Sequence, residues 1–203
     1  MERYDKKNIE LPKEIYEKIE IDVVNLYLEL ELNIPLKAEL IAKRLGYIVK
    51  RMSEVKDNKV RNLLRFDKDG YRRDGYSFFN TEIQRFEIWV NDIDSFYYEH
   101  DDFTIMHEIG HIRLGHLEES DLANRMANYY AAYALVPSPL FWFHKLSRES
   151  QIIEIFKVSD ECAVRCYKRC LNWEMYSGDI KPYERRLLSY YKKKNTTMKQ
   201  NES

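Results

Sequence analysis

Apolar residues recur at three- and four-residue steps through Ile15, Ile19, Val23, Leu26 and Leu30, so Pro12 to Leu32 is predicted to form an amphipathic helix. A second helix is predicted from Leu36 to Leu45. Pro35 opens it, and Gly46 can take the left-handed conformation that ends helices. The chain then turns into a short extended run, YIVKRM. Between Leu63 and Asn91, LLRF, YSFF and FEIWV are aromatic and β-branched runs separated by the turn-forming stretches DKDGYRRDG and NTEIQR, which predicts a small antiparallel sheet.

Beyond Asp101 the period is helical again. Helices are predicted over Phe103 to Leu114, Asp121 to Leu135, Pro139 to Leu146, Ser159 to Leu171 and Tyr183 to Tyr191. Strands gathered before a run of helices imply an α+β fold, a small antiparallel sheet packed against a predominantly helical body with C-terminal helices. The expected division is a main domain over 1–140, a helical extension over 141–192 and a disordered tail over 193–203, where KKKNTTMKQNES is poor in apolar residues.

Composition narrows the partners. Charged residues make up 33% of the 203 positions but nearly cancel at a net charge of −1, so no global field draws the chain to nucleic acid or to a membrane surface. A basic C-terminal region exists, yet direct DNA binding is not expected of a chain without overall positive charge. No apolar run approaches the ~20 residues needed to span a bilayer, and MERYDKKNIELPKE lacks the apolar segment of a signal peptide. Cys162, Cys166 and Cys170 are odd in number and helically spaced, which suits buried thiols in a reducing cytosol better than disulfides. The expected location is the cytoplasm, and the oligomeric state stays open.

The candidate chemistry lies in HEIGHIRLGH, His107 to His116. Four residues of α-helix rotate about 400° and rise about 6 Å, so His107 and His111 share a face and can reach one ion. Phe103, Ile105, Met106, Ile109 and Ile112 supply apolar surface to anchor that helix, and Asp101 and Asp102 can cap it. In H-E-x-x-H metalloproteases the intervening glutamate, here Glu108, sits beside a zinc-bound water as general base. His116 lies five residues beyond His111, off the shared face unless Gly115 ends the helix first. It could then fold back as a hydrogen-bond donor or ligand, or serve as a cap.

IAKRLGY, FTIMHEIGHIRLGH and ANRMANYYAAYALVP, in that order and spacing, resemble the ImmA/IrrE family of metallo-endopeptidases over about Leu36 to Pro139, with a looser echo in FKVSDECAVR and PYERRLL. The resemblance implies a zincin-like domain and zinc-dependent cleavage of a helix-turn-helix transcriptional repressor in the regulation of a prophage, another mobile genetic element or a stress regulon. It makes His107 and His111 the zinc ligands and Glu108 the general base. Family members carry a further ligating glutamate in a pattern like E-x-E-A-N-x-F-A-A. Here Asn124 and Met126 occupy the two glutamate positions, and an amide oxygen or a thioether is a poor substitute for an anionic oxygen on zinc.

Three outcomes remain open at that third position. Asp121, one turn earlier, could supply the carboxylate, with Glu118 or Glu119 nearby; zinc could be held weakly by the histidines, Asn124 and water; or the chain could be a catalytically impaired anti-repressor that binds its repressor without cutting it. Elsewhere, Ala123, Ala127, Ala131 and Ala134 form a small-residue stripe suited to helix packing. Arg165, Lys168 and Arg169 are read as a solvated face. Tyr97, Tyr98, Tyr129, Tyr130 and Tyr133 lie near the motif in sequence and include candidates for stabilising an oxyanion. An edge of the sheet at Tyr76 to Asn80 or Glu87 to Asn91 could bind an extended substrate.

Overall fold

The computed structural model of the chain describes residues 11–67, 70–93, 101–118, 120–177 and 179–201. Helix α1 (Lys13–Glu29) turns Ile19, Val23, Val24, Leu26 and Tyr27 inward, the apolar face that the sequence period marks. Helix α2 (Ala38–Arg44) ends at a left-handed Gly46 with φ of 79°; Tyr47 N–H donates to the Ala42 carbonyl at 2.9 Å and Gly46 N–H to Lys43 at 3.0 Å. This pair of bonds satisfies carbonyls that a helix end leaves bare and steers the chain into β1 (Ile48–Arg51).

Two sequence expectations change here. LLRF is not a strand: Asp57 accepts from the Lys59 and Val60 N–H groups and starts a helix, α3 (Asn58–Arg65), leaving only Phe66 to bridge Arg72. A side-chain cap at Asp57 starts a helix that outweighs the strand preference of Leu63, Leu64 and Arg65 further along. The sheet is also mixed rather than antiparallel. Its order is β1-β3-β2, with β2 (Gly75–Asn80) antiparallel and β1 parallel to the central β3 (Arg85–Val90). The passage through α3 brings the chain back as the β2–β3 hairpin, so that β3 enters beside β1 in the same direction.

Helices α4 (Asp101–Leu114) and α5 (Asp121–Leu135) match their predicted ranges closely. They cross so tightly at Gly110 that a Cβ there would lie 3.0 Å from Cβ and Cγ of Tyr130. The alanine stripe of α5 is buried, as a packing surface requires. Asp101 and Asp102 serve other elements: Asp102 accepts from the Ala38 N–H at the start of α2, and Asp101 pairs with Arg51 at the end of β1.

The remaining helices are α6 (Ser138–Phe143), α7 (Glu149–Phe156), α8 (Asp160–Ser177) and α9 (Pro182–Asn201). The sequence reading missed α7, whose two turns bury only Ile152 and Phe156. It also ended α9 at Tyr191, whereas the helix runs through most of the stretch predicted to be disordered. The residues of the predicted C-terminal extension share one apolar core with the rest: Cys166, Cys170, Leu187 and Tyr191 belong to the same cluster as Tyr27, Ile88 and Ile109. Among the described residues no helix is long and apolar enough to cross a membrane.

Candidate metal centre

Helix α4 is held rigidly before its histidines are considered. Arg113 in its last turn grips Asp22 of α1 with two bonds, Nε to Oδ2 at 2.6 Å and Nη2 to Oδ1 at 2.8 Å, and Tyr130 of α5 donates to the same carboxylate at 2.9 Å. Three helices therefore meet at one anion. Buried Ile105, Met106 and Ile109 fix the inner face of α4.

On that support the two predicted ligands converge. Nε2 of His107 and Nε2 of His111 are 3.0 Å apart, with ring centroids separated by 4.7 Å. Asn128, one turn beyond Asn124 on α5, places its Oδ1 2.9 Å from Nδ1 of His107. An amide oxygen only accepts, so the proton of His107 sits on Nδ1 and its Nε2 carries the lone pair. This is the arrangement by which metal-binding imidazoles are oriented from behind. Burial is the chief cause that lowers the His107 pKa to about 4, with a smaller contribution from His116 and a partial offset from Asn128. Burial followed by His107 and His116 lowers His111 to about 3. Both rings are therefore neutral at physiological pH, the state a ligand needs.

Gly115 ends α4, with φ of 71°, a Gly115 N–H bond to the Ile112 carbonyl at 3.1 Å and a His116 N–H bond to the His111 carbonyl at 3.0 Å. The turn folds the chain back, and Nδ1 of His116 comes within 3.0 Å of Nδ1 of His111. His116 thus meets the far side of the His111 ring rather than sharing a focus with the two Nε2 atoms.

Glu108 is 6% exposed, and its Oε2 accepts from Ser77 Oγ of β2 at 2.6 Å. The approach of strand to helix depends on Gly75. A Cβ there would stand 2.7 Å from Cγ2 of Thr104 and 3.0 Å from Oε1 of Glu108. Neither Ser77 nor Gly75 was singled out from sequence. The DG dipeptide reads as a turn, and the contact that demands the glycine joins segments about thirty residues apart.

Of the third-ligand candidates, the helix brings Asn124 to the pair: its side chain hydrogen-bonds His111. Asp121 and Glu118 are exposed, Met126 packs against the core, and Glu119 lies outside the described residues. Two facing Nε2 atoms 3.0 Å apart suit two corners of a tetrahedral ion, whose nitrogen donors at Zn–N distances of about 2.0–2.1 Å stand roughly 3.3 Å apart. The side chain that meets His111 from α5 is a neutral amide, Asn124. Among the described residues no group of three or more His, Cys, Asp or Glu side chains is placed to hold a metal ion. The residues fit a two-histidine hold on a divalent ion, completed by amide oxygen or solvent.

The other candidates are structural. Tyr129 OH donates to Glu20 at 2.5 Å and Tyr130 OH to Asp22, while Tyr133 is wholly buried in the core. Tyr97 and Tyr98 lie outside the described residues. Cys162, Cys166 and Cys170 are free and buried, as their spacing suggested. Arg169 departs from the predicted solvated face. Its guanidinium reaches inward over the rings of Tyr129 and Tyr133, with centroid distances of 5.8 and 5.6 Å, and Nη2 donates to the Val136 carbonyl.

No family model matches the chain, and no match was found among the curated proteins or the solved structures.

Proposed function

We propose that this chain is a zinc-dependent endopeptidase of the ImmA/IrrE type, with a zincin-like arrangement of sheet and helices, acting in the cytoplasm as an anti-repressor. Its substrate is a helix-turn-helix transcriptional repressor of a mobile genetic element, recognised as a protein and not through DNA. The observation that carries the reading is the approach of the His107 and His111 Nε2 atoms with Asn128 behind the first ring. An unrelated pair of surface histidines would have no reason to be half-buried, neutral and oriented in this way.

A bound divalent zinc ion lowers the pKa of water toward about 7 and polarises a carbonyl. The chain's own share of the chemistry falls to Glu108, which takes a proton from water and returns it to the leaving amine. Ser77 Oγ holds one carboxylate oxygen, which limits the rotation of Glu108. β2 is an edge strand of the sheet, whereas β3 is central, and an extended substrate would add along β2 as a further strand.

One observation favours a second reading. Asn124 hydrogen-bonds His111 from a position where the resemblance calls for glutamate, and an ion held by two histidines and an amide is held more weakly than by two histidines and a carboxylate. In that case the chain captures its repressor without cutting it. Metal content of protein purified without chelator, paired with a cleavage assay on the adjacent repressor and a Glu108→Gln control, separates the two. Stoichiometric zinc with cutting that disappears in Glu108→Gln supports the peptidase; zinc-free protein that binds the repressor and leaves it intact supports the capture protein.

A further inference from the structure

Away from the metal centre, helix α8 carries a cation into the core beside three thiols. The guanidinium of Arg169 lies over Tyr129 and Tyr133; the Val136 carbonyl accepts from Nη2, while Nε and Nη1 are buried with no hydrogen-bond partner. Among the described residues no carboxylate pairs with it: its ionisable neighbours are Cys162, Cys166, Cys170 and Tyr129. Tyr129 already donates its hydroxyl to Glu20 at 2.5 Å. An uncompensated charge in a core is costly, so the counter-charge falls to the thiols.

The three thiols are not equivalent. Sγ of Cys162 and Sγ of Cys166 are 3.8 Å apart, whereas Cys170 turns toward Ser138, its Sγ 3.7 Å from Oγ. Cys166 Sγ also lies 3.7 Å from the Ala132 carbonyl of α5, a weak bond that a thiolate forgoes. The hydrogen bond from Cys162 holds Cys166 below the ordinary thiol value, and the Arg169 charge reinforces it against burial. The same contact pushes Cys162 up, and burial pushes Cys170 up. Cys166 is therefore the thiol that ionises first, with the Cys162 S–H as its donor and Arg169 as its counter-charge.

We infer that Cys166 is an oxidant-sensitive nucleophile that reacts with a small hydroperoxide, and that Cys162 resolves the product into a disulfide within α8. The Cys166 sulfur attacks one oxygen of hydrogen peroxide: an S–O bond forms, the O–O bond breaks, and the departing oxygen takes a proton to leave as water. Sulfur loses two electrons and the peroxide gains them. Cys162 then attacks the sulfenic sulfur; the S–S bond forms, the S–O bond breaks, and the released hydroxide takes the Cys162 proton. Two thiols and one peroxide thus give one disulfide and two waters. Cys162 is 8% exposed and Cys166 1%, so the site admits only an oxidant near the size of water. Residues four apart on a helix have α-carbons about 6 Å apart, within the disulfide range, but the β-carbons must close to about 3.5–4.5 Å. That approach loosens the first turn of α8, where the Cys162 N–H donates to Ser159 Oγ at 3.3 Å. The inference does not depend on whether His107 and His111 hold an ion.

The test treats the full, reduced chain with hydrogen peroxide at neutral pH and maps the products by peptide mass spectrometry. Wild type should lose two hydrogens from the segment that holds Cys162 and Cys166. Cys162→Ser, which keeps a donor beside Cys166, should instead accumulate a sulfenic acid at Cys166 that dimedone captures, and Cys170→Ala should react as wild type does. Arg169→Met should slow the first step at pH 7 by about tenfold, the loss of thiolate expected as a thiol returns toward its free value of about 8.5. If a variant fails to fold, wild type decides alone: alkylation of Cys166 by iodoacetamide should have its midpoint below about 8.5, with Cys162 and Cys170 left unreacted. Oxidation that begins at Cys162 or Cys170 overturns the inference, as do thiols that all stay reduced in the folded chain while the urea-unfolded chain is oxidised. A wild-type rate and alkylation midpoint in Arg169→Met overturns the role given to Arg169.

Discussion

Asn128 Oδ1 stands 2.9 Å from Nδ1 of His107, on the side of the ring turned away from His111. Because α5 delivers this amide to a histidine of α4, the orientation of the candidate ligand depends on the packing of two helices and not on α4 alone. Asn128→Ala should leave secondary structure unchanged and weaken Co2+ affinity by about 10- to 100-fold. Competition with a chromophoric chelator measures this directly, and an unchanged affinity would remove Asn128 from the site.

Asn124 is hydrogen-bonded to His111 from a position one turn before Asn128. Replacing its neutral amide with a carboxylate supplies the anionic oxygen that the two imidazoles lack. Asn124→Asp and Asn124→Glu should both tighten zinc binding, by about tenfold or more for whichever side chain has the better reach. If the repressor is cut slowly or not at all by wild type, the tighter variant should cut faster. Parallel zinc titrations and cleavage time courses check the two effects separately.

Gly75 lets β2 lie directly against α4, where a Cβ would meet Cγ2 of Thr104 at 2.7 Å and Oε1 of Glu108 at 3.0 Å. Gly75→Ala should therefore destabilise the fold by about 1–3 kcal/mol through overpacking and displace the Glu108 carboxylate. Thr104→Ser removes the nearer of the clashing atoms. The double variant should recover part of the melting temperature lost by Gly75→Ala, as measured by thermal unfolding.

The bidentate pair of Arg113 and Asp22 is partly sheltered, with side-chain exposures of 18% and 28%. Arg113→Ala leaves Tyr130 as the remaining donor to Asp22 among the described residues and should cost about 2 kcal/mol, the scale of hydrogen bonds to a charged group. Arg113→Lys should recover less than half, because a single ammonium cannot reproduce two parallel bonds. Denaturant midpoints of the three proteins test that order.

Glu87 is buried on the central strand and accepts from Lys50, Asn80 and Trp89. Burial pushes its pKa up, but those three hydrogen bonds and the Lys50 charge outweigh burial and hold it below the usual 4.5. A carboxyl lowered in the fold contributes stability that is present above its unfolded value and lost as pH falls through the folded value. Wild type should lose stability on acidification below about pH 4.5, and Glu87→Gln should show a shallower loss over the same range. Urea unfolding at a series of pH values measures both slopes.

The α+β class, the ranges of α4 and α5 and the shared face of His107 and His111 were legible in the chain because each depends on local periodicity and on caps within a few residues. Gly46 and Gly115 were legible for the same reason, as helix ends that need a left-handed residue. The direction of β1 and the inward turn of Arg169 were not, since each is decided by what the rest of the chain packs around it; the helix that takes in most of LLRF is set locally, by the Asp57 cap.

The sequence by itself determined that two imidazoles and a carboxylate lie on consecutive turns of one helix, a consequence of 3.6 residues per turn. Only the tertiary structure decided that Asn128 fixes the tautomer of His107, that Asn124 rather than Asp121 reaches His111, and that Ser77 restrains Glu108 across a glycine. Hydrogen bonds of this kind are short-ranged and directional, so they exist only where packing brings separate segments to within about 3 Å, and no pattern along the chain encodes that distance.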